Sequence, residues 1–141
     1  MKKFLVLILS VFASLLVFAH APLLDVNEGE QGYIIIQGGF SNGADATGVL
    51  IYVLKDKNYN GTEEAYEGKM KIFEGNLEKG GELVLPKPKG KYIVVFDAGP
   101  GHVIEKKGPK LTDAEKDAWK KAIDSDTKLG KWKDKYIGNV K

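Results

Sequence analysis

The chain has no cysteine, no arginine and only two histidines. Without cysteine there is no disulfide, no thiolate metal ligand, no cysteine nucleophile and no thiol to acylate. Without arginine, bidentate guanidinium recognition of phosphate or carboxylate is unavailable, and all 21 basic residues are lysines. Long apolar runs are equally scarce. The run at residues 4–19 is too short to span a bilayer comfortably, which takes about 20 residues, and no later stretch is a candidate. Beyond residue 20 the only serines are Ser41 and Ser125, and neither sits in a nucleophile-elbow sequence. Glu63 and Glu64 lie in a polar turn that reads as a solvated face. The glycine-rich stretches lack the lysine spacing of a phosphate loop. These absences argue against an enzyme.

What is present begins with Met1-Lys2-Lys3, an apolar segment and small residues, which together form a secretory signal. Val17-Phe18-Ala19 is an acceptable cleavage motif, so the signal is read as residues 1–19 and His20 as the first mature residue. The alternative cut after Ala21 would place Pro22 directly behind it. The mature chain, about 120 residues, suffices for one domain with a core. A periplasmic or secreted setting follows from the signal, with no membrane insertion once it is removed. Residues 20–141 balance 19 lysines against 19 acids, whereas 20–107 carry 10 against 13 and 108–141 carry 9 against 6. No clustered basic stretch suggests nucleic acid. The mildly acidic body suits a cation.

Short apolar and β-branched runs alternate with turn residues. Residues 33–37 read as a strand stopped by Gly38-Gly39. Residues 48–55 are apolar on both faces, as in a central strand. Residues 66–72 alternate as a half-exposed strand, 82–85 form a short one, 91–97 the strongest, and 102–106 a last one. Six such strands argue for an all-β sandwich at residues 20–107. A charged helical tail follows at 108–141. Thr112 and Glu115 form a capping box, and Ala114, Ala118, Trp119, Ala122 and Ile123 make a helical stripe. Asp124-Ser125-Asp126 ends it, and Leu129, Trp132 and Tyr136 suggest one further short helix. Such a tail is expected to fold back over a sheet face or edge; a partner-binding helix is the alternative.

An N-terminal His20 would offer an amine and an imidazole in one residue, donors suited to copper or nickel. The amino-terminal motif that chelates through backbone amides needs histidine third, where Pro22 stands, so partners must come from elsewhere. His102, set among glycines after the strongest strand, is the obvious partner, with Asp97 as a direct or supporting oxygen donor. Residues 56–67 also match the calcium-loop pattern, from Asp56-Lys57-Asn58-Tyr59-Asn60-Gly61 to Glu67. Glu63 stands where an apolar residue is expected, and the flanks read as strands. The match is therefore read as a turn and not as a calcium site.

Gly38-Gly39-Phe40-Ser41-Asn42-Gly43, the run from Ala46 to Leu54, Leu85-Pro86-Lys87-Pro88-Lys89-Gly90-Lys91-Tyr92 and Val95-Phe96-Asp97-Ala98-Gly99-Pro100-Gly101-His102 resemble small periplasmic domains of the carboxypeptidase-regulatory-like, prealbumin-like class. Within it, the chain is most similar to the accessory proteins of bacterial nickel and cobalt uptake transporters, and the segment from Asp97 to His102 is the most specific part. The resemblance implies an Ig-like or prealbumin-like β-sandwich that handles nickel or cobalt, with copper as a further candidate, and serves a metal-uptake membrane transporter. It carries over to His20 and His102 as ligands. The chain differs in lacking further histidines near its N-terminus and in ending in a charged tail where a membrane helix is expected. A metal-free module that docks a protein or glycan is the alternative reading.

Overall fold

The computed structural model describes residues 20–138; the expected signal segment at 1–19 lies outside them. Eight strands are formed among the described residues: β1 (Pro22–Glu28), β2 (Tyr33–Phe40), β3 (Leu50–Lys55), β4 (Ala65–Tyr66), β5 (Lys69–Asn76), β6 (Glu82–Pro86), β7 (Tyr92–Asp97) and β8 (Val103–Lys107). They build two antiparallel sheets, ordered β1-β2-β6 and β4-β5-β3-β7-β8. The architecture is a β-sandwich with a small helical C-terminal part.

Period-2 alternation explains how the sheets meet. Leu24 and Val26 of β1, Ile34 and Ile36 of β2, and Leu83 and Leu85 of β6 face Ile51 and Val53 of β3 and Tyr92, Val94 and Phe96 of β7 in one core. β7 is buried at five successive residues, Tyr92 to Phe96, because its outer face is covered too. There Leu54, Ile93 and Val95 form a second cluster beneath Tyr52 and Tyr66. Gly38 is required by close approach. A Cβ on it would stand 2.5 Å from Leu77 Cδ1 and 2.7 Å from Phe96 Cε2.

Two elements differ from the sequence reading. β1 was not expected, because its outward Asp25 and Asn27 interrupt the apolar signal. The single strand expected at 66–72 is a hairpin. Glu67 (φ 46°) and Gly68 (φ 74°) both occupy the left-handed region and turn β4 into β5, as a two-residue hairpin loop demands. A bulge opposite Val53 and Leu54 then lets β5 run on to Asn76.

The tail closes one flank of the sandwich. Its helical pieces are a 3-10 turn at Asp113–Glu115, α1 (Lys116–Ser125), a second 3-10 turn at Gly130–Trp132 and α2 (Lys133–Tyr136). Thr112 donates from its backbone N–H and Oγ1 to the Glu115 carboxylate at 2.9 and 3.0 Å, which caps this start. α1 meets β6 and α2 meets β5, so the tail bridges the two sheets. Ile123, Leu129, Trp132 and Tyr136 enter the main core. Tyr136 donates its hydroxyl to the Pro86 carbonyl and Trp119 donates its indole N–H to the Lys87 carbonyl.

Candidate functional site

On the opposite flank, β1 and β8 lie side by side. Lys106 Nζ donates to Asp25 Oδ1 at 2.7 Å and to the Leu24 carbonyl at 3.4 Å. Phe40, paired with Pro22 at the start of β1, meets Phe96, paired with Ile104 near the start of β8, at a ring separation of 5.5 Å. Glu28 at the far end of β1 reaches Lys87, whose ammonium also touches the Lys110 carbonyl just beyond β8. The two strands therefore run in the same direction. His20 precedes β1 and His102 precedes β8, which puts both histidines at the same end of the sandwich.

Each histidine is held by a different device. Ala21, directly after His20, exchanges two bonds with Ser41: its N–H donates to Ser41 Oγ at 3.0 Å and its carbonyl accepts from the Ser41 N–H at 2.9 Å. The start of the described chain is thereby pinned to the end of β2, while the His20 side chain stands in solvent. His102 closes the β7–β8 turn. Its N–H donates to the Gly99 carbonyl at 2.9 Å and its carbonyl accepts from the Ala98 N–H at 3.1 Å. Its Nδ1 lies 3.2 Å from the Pro100 carbonyl oxygen. In the tautomer with the proton on Nδ1, this contact is a hydrogen bond and Nε2 carries the lone pair for a ligand.

Asp97 is the last residue of β7 and alternates onto the outer face of the five-stranded sheet. One carboxylate oxygen accepts from the Gly99 N–H at 2.9 Å and so shapes the turn that presents His102. Its charge also faces the paired tyrosines Tyr52 and Tyr66, whose rings are tilted 34° to each other with centroids 4.8 Å apart. Burial, then Glu74 and Asp97, raise the Tyr52 hydroxyl above its ordinary value. Burial, then Asp97 and Glu67, do the same for Tyr66. Among the described residues, no group of three or more histidines, aspartates and glutamates gathers where it could hold a metal ion. The histidines thus share an end without Asp97 closing a three-ligand cage.

The calcium-like segment runs through the turn after β3 and the short β4. Asp56 lies between Lys69 at 3.6 Å and Lys107 at 3.3 Å, Glu63 pairs with Lys135, and Glu67 makes the hairpin turn. Asp56 and Glu63 are engaged with lysines, and the backbone at Glu67 is committed to a strand connection. Sequence reasoning missed the tyrosine pair, because Tyr66 reaches Tyr52 only once the Glu67-Gly68 turn folds β4 back along β5.

Comparison with known proteins found no matching family, no matching curated protein and no matching solved structure. Among the described residues, no helix is long and apolar enough to cross a membrane.

Proposed function

We propose that this chain is an exported, non-enzymatic β-sandwich that binds a transition-metal ion weakly and passes it to or from a membrane transporter. Nickel or cobalt is the intended cargo, with copper as a further candidate. His20 supplies the imidazole and, after signal removal, the terminal amine. His102 supplies a second imidazole, and Asp97 orients it through Gly99. The observation that carries the reading is the parallel course of β1 and β8, which start at one end, each just after a histidine. An amine and two imidazoles suit borderline metals, and a site with few protein ligands releases its ion readily.

Calorimetric titration of the chain beginning at His20 with nickel, cobalt and copper tests this. Binding tighter than about millimolar, weakened at least tenfold by His102→Ala, is expected. Heat no different from buffer, or an isotherm indifferent to His102→Ala, rejects the proposal.

A second reading, a glycan-docking module without metal, draws on the paired Tyr52 and Tyr66 beside Glu74 and Asp97. Aromatic faces with acceptors alongside suit the apolar faces and hydroxyls of a sugar. Tyrosine fluorescence that responds to oligosaccharides in the presence of a chelator would favour it.

A further inference from the structure

The end of the sandwich away from the histidines is built of lysine. Lys55 closes β3 opposite Tyr92, and Lys107 closes β8 opposite Ile93, so both stand where β7 begins. Three adjoining surface hollows, of about 240, 360 and 270 Å³, surround this end. The first is flanked by Lys91, Lys107 and Lys110. The second shares Lys91 and adds Lys55, Lys57 and Lys89; the third shares Lys89 and adds Lys120.

Ion pairing elsewhere makes this concentration stand out. Ten of the 18 described lysines pair with a carboxylate, and eight do not among the described residues. Six of those eight are Lys55, Lys57, Lys89, Lys91, Lys110 and Lys120, all at this end. The remaining two are Lys79 and Lys121. Of the acids at this end, Asp56 is engaged with Lys69 and Lys107 and Asp124 with Lys133 at 3.9 Å, while Glu30, Glu67 and Asp117 pair with no lysine among the described residues and offset half of the six-lysine excess. Since residues 20–141 carry equal numbers of lysines and acids, this is segregated charge and not general basicity.

We propose that the lysine end is a docking surface for a membrane bearing anionic phospholipid headgroups. Clusters of four to eight lysines are what such a surface attracts, each adding a similar increment. Lysine ammonium groups on flexible stems follow phosphates whose positions vary, whereas a site for a fixed phosphate would favour the arginine fork that this chain lacks. Nucleic acid fits less well: the aromatics lining these hollows, Tyr92 and Trp119, are tied by hydrogen bonds to the Pro109 and Lys87 carbonyls and give no platform for base stacking. The large apolar residues left exposed, Leu23 and Val103, belong to the histidine end, so attachment is electrostatic and screened by salt.

Flotation of the chain beginning at His20 with phospholipid vesicles tests the proposal. Vesicles of phosphatidylcholine mixed with phosphatidylglycerol should carry the protein at low salt and release it at high salt, and phosphatidylcholine alone should not carry it. Replacing Lys57, Lys89 and Lys91 together by glutamine should weaken binding on the order of a hundredfold. These side chains are exposed, so the melting temperature of that variant should match the parent. Lys79→Gln, at the other end, should bind as the parent does. Equal binding to neutral vesicles, no binding to anionic ones, or full affinity in the triple variant overturns the proposal. So does capture by duplex DNA or polyglutamate without capture by the vesicles. The outcome is independent of the metal titration, because neither histidine is altered.

Discussion

Lys87 is fully buried, and an ammonium in that position is tolerable only if its charge is matched and its protons are bonded. Its Nζ meets Glu115 at 2.8 Å, Glu28 at 2.5 Å and the Lys110 carbonyl at 3.3 Å. Burial works against the charged form, and the bonds to Glu115 and Glu28 outweigh it, leaving the lysine pKa above its ordinary value. The same contact, with the Thr112 N–H, pulls the Glu115 carboxyl from 4.5 to about 2. A carboxyl depressed on folding stabilises the fold above its unfolded pKa and loses that contribution as pH falls through the folded one. Thermal melts should therefore show stability fading between pH 4.5 and about 2, with Glu115→Gln flattening that slope. Lys87→Met, which strands Glu115, should cost about 3 kcal/mol at neutral pH by denaturant titration. None of this was visible in Pro86-Lys87-Pro88-Lys89-Gly90, which reads only as the stretch that breaks the short strand at 82–85. Nothing local distinguishes buried Lys87 from exposed Lys89; the difference is made by Glu115, far along the chain.

Elements were legible where both the period and the burial were simple. The doubly apolar run at 48–55 and the run at 91–97 emerge as β3 and β7, because a strand covered on both faces must be apolar at consecutive positions. The β4–β5 hairpin hid for an instructive reason. The apolar spacing of Tyr66, Gly68, Met70 and Ile72 mimics one strand, yet across the two-residue turn Tyr66 pairs with Lys69 and joins the outer face, whereas Met70 and Ile72 face the core. The histidine end was partly legible: the glycine-flanked loop marks the turn that presents His102, whereas the end it shares with His20 depends on the long-range placement of β1, which sequence did not signal. Contacts between elements can be probed at Gly32 (φ 84°), in the turn between β1 and β2. A Cβ there would stand 2.8 Å from the Trp119 backbone at the face of α1. Gly32→Ala should displace that helix and loosen the 2.8 Å bond from the Trp119 indole to Lys87. A red shift in tryptophan emission and a loss of about 1–3 kcal/mol in denaturant unfolding are expected.

At the scale of the whole molecule, two chemically distinct ends are separated by the length of a strand. β7, six residues long, sets that separation at about 20 Å. The flanks are closed differently, by β1 against β8 on one side and by the tail between β5 and β6 on the other. The tail is part of the core and not an appendage, since Leu129 and Tyr136 are completely buried in it. Ending the chain after Ser125 should remove the cooperative melt and expose surface that binds a hydrophobic dye.

The position of those tail residues also governs when folding can finish. While the chain is being made, the gap between β5 and β6 stays open until Trp132 and Tyr136 have emerged, so the sheets lack one wall until then. A polypeptide so ordered stays pliable until those residues arrive, and the wall they supply is what turns two open sheets into a closed core.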